Sequence, residues 1–392
     1  MVPLYAAEQS AADVRQGHGF RSWFYTSTDV LELERRAVFE RAWQFAVHEN
    51  QIVKPGSYAL ANLGEFELVV ARDPSGSVRA FRNVCLHRGS RLVESDGEGT
   101  TLVCPYHAWS YSLNGRLRKA PGFEQDERVV LGAARISRAQ IDRLGPLLFA
   151  TLAPDPLPFS EVTGPLQDLC TAWPALIRHD RRKYFYDCNW KMAIENSLEC
   201  YHCPVIHGGF DKLIDLKNYI WEVRGFCGIT GGQRLPATRS GVYSAAAASD
   251  ETSGRYYFVW PNLHLLLYPG PPNLTIARWL PVGVNRTVCV RDFYFGEAFT
   301  ADQRTEFIAY VEEIQREDIR ACDNIQSNVC TGAFQRSLLR LTEDGMGEHG
   351  IRQFQKLLLD ALHDGVLRST QGDEGMPPTY DTREIRALKS CK

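Results

Sequence analysis

The chain is 392 residues long, 44% hydrophobic, with 44 basic against 47 acidic side chains and a formal net charge of −3, which allows two or three domains with cores of their own and excludes an electrostatic nucleic-acid binder. No uninterrupted apolar run approaches the roughly 20 residues that span a bilayer, so no membrane role is expected. Eleven cysteines are scattered and odd in number, and the opening Met-Val-Pro-Leu-Tyr-Ala-Ala-Glu lacks a basic stretch followed by an apolar one, so a cytoplasmic protein is expected, with Cys170, Cys188, Cys227, Cys289 and Cys391 as free thiols.

Residues 1 to 20 are polar and glycine-containing and read as a loose arm. From Thr28 the pattern becomes helical: Asp29 can cap a helix whose apolar positions are Leu31, Leu33, Val38, Phe39 and Trp43. Short β-like segments follow at Ser57 to Leu63, Glu67 to Arg72 and Val78 to Phe81, separated by turn signals at Pro55-Gly56, Leu63-Gly64 and Asp73-Pro74-Ser75-Gly76. They predict a small antiparallel β domain.

At the tip of that domain come Cys85-Leu86-His87 and, after sixteen residues, Cys104-Pro105-Tyr106-His107. Paired Cys-x-His and Cys-x-x-His arms are the ligand set of a Rieske [2Fe-2S] cluster, in which two imidazoles replace two thiolates on one iron and raise its potential. Structural zinc is the alternative, although zinc sites usually pair cysteine with cysteine and histidine with histidine. Gly89 and Pro105 suit tight loops that present ligands at close range, and Trp109 to Leu117, with Asn114-Gly115, predicts a hairpin immediately afterwards.

A strand at Leu147 to Leu152 leads into a proline-dense stretch that should end this domain. Beyond it, Arg178-His179-Asp180-Arg181-Arg182-Lys183 is the one dense basic patch, either a solvated surface turn or a docking surface for an acidic electron donor. A helix from about Trp190 should carry Glu195, Glu199 and His202 along one face. His207 lies five residues beyond His202, so the two can meet one metal only if the helix bends or ends between them, and Pro204 supplies a reason. In a later helix, about Ala301 to Asn328, Asp318 sits among Ile314, Cys322 and Ile325, which aims a carboxylate inward where it needs a partner. That partner is either a nearby arginine or a metal. Two histidines and one carboxylate form the facial triad of non-haem Fe(II) oxygenases, and a Rieske cluster is a source of the electrons such a site consumes.

These residues resemble a known family, the catalytic α subunits of Rieske non-haem iron oxygenases. The resemblance covers nearly the whole chain: the Glu34 to Trp43 helix, Asn83 to Gly89, Cys104 to His107, Asn189-Trp190-Lys191, Glu195-Asn196-Ser197-Leu198-Glu199-Cys200-Tyr201-His202, His207, and Glu317-Asp318 followed by Gln326. It implies an α+β chain of a small antiparallel β Rieske domain (43–155) and a helix-grip catalytic domain with a large antiparallel sheet (156–392), residues 1–42 being an arm and helix packed on the latter. It further implies a [2Fe-2S] cluster on Cys85, His87, Cys104 and His107, a mononuclear Fe(II) on His202, His207 and Asp318, and catalytic roles for Glu199 and Asn196. A homotrimer is implied as well, in which the cluster of one subunit serves the iron of the next through an acidic bridge between His107 and His202. Most members carry aspartate at the bridge, where this chain has Glu199; the bland alternative is a charge partner for Lys191.

Glutamate at that position, with Trp260-Pro261-Asn262-Leu263 and Tyr268-Pro269-Gly270-Pro271, is similar to the branch acting on carnitine, glycine betaine, choline and proline betaine. A methylated ammonium has no N–H to donate and is best held by aromatic faces; Tyr257, Trp260, Tyr268 and Phe293 are the candidates. Ring hydroxylation of an aromatic carboxylate is the alternative, since the same aromatics could stack a ring. With no Gly-x-Gly-x-x-Gly segment, electrons should come from a separate NAD(P)H-dependent flavin or iron-sulfur reductase, or a ferredoxin, with O2 as co-substrate.

Overall fold

In the computed structural model the described residues are 4–126, 129, 131, 133–169, 173–235, 242–247 and 253–370. They form two units, one of residues 40–156 with 366–370 and the other of 4–39 with 157–365. None of their helices is long and apolar enough to cross a membrane.

The 40–156 unit holds two antiparallel sheets. Its larger sheet runs in the spatial order Gln44–His48, Leu147–Thr151, Arg138–Leu144, Val78–Arg82, Phe66–Arg72, Ser57–Leu63, Gly97–Glu98. Strict alternation along Ser57–Leu63 sends Ala59, Ala61 and Leu63 into a core with Leu68, Val70, Ala80 and Leu148. A smaller sheet of Thr101–Val103, Ser110–Ser112 and Leu117–Lys119 packs Leu102, Tyr111 and Leu117 into a second cluster with Trp109 and both cysteines of the predicted arms. The Asn114-Gly115 hairpin is present, with Gly115 at φ 84, a conformation open to glycine at little cost.

The second unit is built on one antiparallel sheet ordered Ile177–Tyr186, Arg286–Phe295, Asn273–Gly283, Leu263–Leu267, Ser253–Val259, Cys227–Gln233, Ile220–Arg224. The helix Ala301–Cys330 lies against it, with Phe307 edge-on to Phe293, Phe295 and Tyr268. A curled antiparallel sheet around a long helix is the helix-grip arrangement, and with the β unit it makes the α+β fold expected. The basic segment Arg178 to Lys183 is an edge strand rather than a turn. Arg181 grips the fully buried Asp292 at 2.6 Å, and Arg182 reaches Asp180 and Glu312.

Four further local expectations fail, each for an identifiable reason. Residues 4 to 21 are no loose arm: Leu4–Arg15 is helical and His18–Arg21 pairs with Arg336–Leu338, because Asp13 bonds both Arg21 and Arg336. The helix Thr28–Glu34 is capped by Ser27, whose hydroxyl accepts from Val30, while Asp29 sits inside the first turn. The helix that begins at Trp190 stops at Ser197, so Glu199 and His202 lie beyond it, and Pro204 opens a separate short helix, Cys203–Ile206, instead of breaking a long one. Ile325 is exposed, and the inward stripe of the long helix is Val311, Gln315, Cys322, Gln326 and Val329.

The helix Trp190–Ser197 is anchored by buried polar pairs. Lys191 meets Glu34 at 2.7 Å with both side chains fully buried, and Glu34 also accepts from the Trp190 indole. Glu195 accepts from Tyr25 and Gln355. Removal from water pushes the Glu195 carboxyl up to about 7. The folded protein therefore keeps a proton that the unfolded chain releases near pH 4.5, so this group makes stability fall as pH rises from about 4.5 to about 7, by about 3 kcal/mol, and adds no slope above. Glu195→Gln removes the slope: thermal melts of variant and native protein should coincide near pH 5 and separate in the variant's favour by pH 7.5. Parallel melting curves across that range would contradict the assignment.

Candidate metal centres

The two arms in the β unit fold as matching loops. The Cys85 amide donates to Ser90 and the Gly89 amide to Cys85; the Cys104 amide donates to Trp109 and the Ala108 amide to Cys104. In each loop the fourth residue after the cysteine has positive φ, Gly89 at 75° and Ala108 at 57°. This turn brings four side chains together. Cys85 and Cys104 are buried while His107 stands exposed, and the His87 and His107 rings are 4.7 Å apart. Tyr111 approaches the Cys85 sulfur at 3.2 Å and accepts from the Leu86 amide, and Trp109 stacks on His87 at 5.0 Å. Two buried sulfurs with one half-buried and one exposed imidazole are the donor set that would hold a cluster with both histidines on one iron.

In the second unit Nε2 of His202 lies 3.1 Å from Nε2 of His207, and Oδ1 of Asp318 is 3.0 Å from the latter and 3.7 Å from the former. Metal–ligand bonds of about 2.1 Å place two cis ligand atoms about 3.0 Å apart, so the spacing fits a facial set on one ion. Asp318 Oδ1 is buried and, among the described residues, has no neighbour for a hydrogen bond besides the His207 ring at 3.0 Å, which suits an acceptor that faces a cation. Each imidazole is fixed from behind by a carboxylate: Glu199 Oε1 meets Nδ1 of His202, and Glu317 Oε2 lies 2.8 Å from Nδ1 of His207. A proton held at each Nδ1 leaves the Nε2 lone pairs free to converge on a metal. The other oxygen of Glu199 accepts from the backbone amides of Tyr201 and His202, which is how a residue outside the helix holds the loop. Lys191, taken by Glu34, is not its partner. Cys203 stands beside the two histidines, but its sulfur is paired with Cys200 in a disulfide flanking His202, a bond the sequence did not signal. Cys188, Cys227 and Cys289 are free and buried, whereas Cys170 and Cys391 lie outside the described residues.

Two family descriptions divide the chain along the same lines: a Rieske [2Fe-2S] domain over residues 42–135 and a ring hydroxylating alpha subunit catalytic domain over 174–364. The chain belongs to the Rieske non-haem iron oxygenase alpha subunits. It is thus an oxidoreductase subunit that carries a [2Fe-2S] cluster and a mononuclear iron, and the zinc alternative falls. This Rieske oxygenase is 27% identical over 350 residues to the carnitine monooxygenase oxygenase subunit of Acinetobacter pittii, covering 86% of this chain and 93% of that one. It is 37% identical over 216 residues to the glycine betaine monooxygenase oxygenase subunit of Chromohalobacter salexigens, covering 52% of this chain and 47% of that one. It also shares the fold of a quaternary ammonium Rieske monooxygenase solved with L-carnitine, with a TM-score of 0.78 at 24% identity, covering 88% of this chain and 95% of that one.

The predicted substrate-binding aromatics of this oxygenase do not share one face. Cross-strand pairs put Tyr256, Phe258, His264, Trp279, Arg291 and Phe293 on the sheet face covered by the long helix. Tyr257 pairs with Leu265 and so stands on the opposite face, with Ile276 and Asp292. Tyr268 lies 5.3 Å from Tyr256 and 5.3 Å from Phe307, on the helix side, and Trp260 packs at 5.6 Å against Phe354. Asn196 is half-buried in the last turn of its helix, and among the described residues none of the hydrogen bonds joining Glu199, His202, His207 and Glu317 involves it. A narrow cleft opens between Ser197, Trp221, Phe226, Tyr256, Phe258 and His264. Burial pushes His264 down to about 3, so its ring is a neutral wall. Glu317, His264 and Arg291 carried no sequence signal beyond, for Glu317, its place next to Asp318.

Proposed function

We propose that this Rieske oxygenase hydroxylates an N-methyl group of a quaternary ammonium compound, with His202, His207 and Asp318 as the iron ligands and Cys85, His87, Cys104 and His107 as the cluster ligands. The observation that carries the iron assignment is the converging triangle of Nε2, Nε2 and the buried Oδ1. When bound, the iron supplies the centre at which O2 is reduced with externally delivered electrons. The protein orients its two imidazoles through Glu199 and Glu317, and lines the approach with Tyr256, Phe258 and Tyr268, which offer aromatic faces to a cation that cannot donate a hydrogen bond. A hydroxylated N-methyl group collapses to formaldehyde and the demethylated amine.

Glu199 is also the proposed bridge for electrons within a homotrimer. A carboxylate has about four acceptor positions; its own chain fills three of them, at His202 Nδ1 and the amides of Tyr201 and His202. One remains for His107 of a neighbouring subunit, itself exposed. A separate NAD(P)H-dependent reductase or ferredoxin supplies the electrons.

Names of relatives support the substrate class: carnitine, glycine betaine and, for a relative from Arabidopsis thaliana 29% identical over 354 residues, choline. The test is reductase-coupled O2 uptake with carnitine, glycine betaine, choline and benzoate, formaldehyde being measured in parallel. Formaldehyde should appear in step with O2 consumed for at least one quaternary ammonium compound. Coupled turnover of benzoate alone would sink the reading in favour of aromatic carboxylates.

A further inference from the structure

Arg291 is a buried cation without an anion. It sits in the middle of the strand Arg286–Phe295, 5% exposed, on the face turned to the long helix, and its Nε has no hydrogen-bond partner. Among the described residues no carboxylate lies within salt-bridge distance of it. Its neighbours are the Tyr268 hydroxyl and the Cys289 thiol, both kept protonated by burial, and the ring of Trp279, 6.0 Å from the guanidinium carbon. The acid next along the same strand, Asp292, points the other way and is taken by Arg181. Asp318 contributes only at longer range. Its charge, moreover, is committed: two neutral imidazoles and one carboxylate around a divalent ion leave the iron site net positive.

A guanidinium cannot shed its proton to escape such a position, and an unpaired buried charge is strongly unfavourable. Hydrogen bonds to Tyr268 and Cys289 ease the burial without neutralising the charge, and an anion arriving from outside would neutralise it. The position relative to the cleft is consistent. Tyr256 and His264 of its wall touch Tyr268 and Trp279, at 5.3 and 5.1 Å between ring centroids, and both of these adjoin Arg291. Arg291 thus lies one layer of side chains behind the cleft's aromatic wall, on the same sheet face.

We propose that Arg291 is the carboxylate anchor of the substrate site, so that the enzyme takes zwitterionic betaines, a quaternary ammonium and a carboxylate in one small molecule, in preference to cationic choline. This rests on the quaternary ammonium reading and adds the second recognition element. The planar fork suits a carboxylate bidentately, which a lysine could not copy. The aromatic faces hold the cation and the fork holds the anion, fixing both ends of the ligand.

The experiment is anaerobic calorimetric titration of the isolated protein with glycine betaine, choline and benzoate, for the native chain, Arg291→Gln and Arg291→Lys, with the cluster's paramagnetic resonance spectrum and iron content as checks of folding. Native protein should bind glycine betaine about 100-fold more tightly than choline. Arg291→Gln should abolish that ratio while leaving the choline Kd within a few-fold, and Arg291→Lys should fall between. Equal affinity of native protein for glycine betaine and choline, or parallel loss of both in a folded variant, overturns the anchor. Should native protein bind benzoate in an Arg291-dependent manner and neither quaternary compound, the anchor stands and the quaternary ammonium reading falls. If Arg291→Gln does not fold, the native ratio and Arg291→Lys decide.

Discussion

Replacing Asp318 with alanine is expected to reduce bound iron from about three to about two atoms per chain and to abolish substrate turnover, while the cluster's visible and paramagnetic resonance spectra stay native. The reasoning is one of charge and geometry. His202 and His207 are neutral donors already positioned by Glu199 and Glu317, so they survive the substitution in place, but two imidazoles without the carboxylate leave the ion's charge unbalanced and the third position empty. The proposed cluster ligands belong to the other unit of the chain and should be untouched. Metal analysis and the cluster spectrum together read the result, and an Asp318→Ala protein that retains all its iron would remove Asp318 from the ligand set.

Glu199 gives the second large effect, and its two substitutions should separate two jobs. Glutamine keeps one acceptor oxygen, for the His202 Nδ1 proton, but turns an NH2 toward the loop amides and loses the negative charge; with ferrous iron supplied in excess the site should still fill, while turnover falls about 10- to 100-fold. Alanine removes the acceptor altogether. It leaves the amides of Tyr201 and His202 without a partner and frees the imidazole to turn, so iron should be lost as well. Rapid mixing of fully reduced protein with O2 and substrate checks the bridging role: in Glu199→Gln the cluster should reoxidise more slowly with its iron site filled. Native reoxidation rates in an iron-replete, slow variant would assign Glu199 to orienting His202 alone.

The two side-chain clusters were legible in the chain because, Asp318 apart, their members are local. Cys85 and His87, Cys104 and His107, and His202 and His207 each fall within a few residues, in loops that Gly89 or Pro204 announce. What failed was continuity. Helical spacing placed Glu195, Glu199 and His202 on one face, whereas the helix ends at Ser197 and the carboxylate of Glu199 reaches His202 by capping its own loop. Asp29 has a capping side chain, but Ser27 sits where the chain actually turns into helix. The N-terminal segment looked unstructured because its order comes from Asp13 bonding to Arg336, 323 residues away. The sheet face that separates Tyr256 from Tyr257, and that turns Arg291 inward and Asp292 outward, depends on registers between distant strands, so composition named the aromatics and the fold chose among them.

The most direct test of the account is the iron and acid-labile sulfide content of the purified native protein, with the paramagnetic resonance spectrum of its reduced form. About three irons and two sulfides per chain, with the rhombic signal of a cluster half-ligated by imidazole, are predicted. Two irons and two sulfides after reconstitution with ferrous iron would mean that His202, His207 and Asp318 hold no metal, and the oxygenase site described here would be wrong.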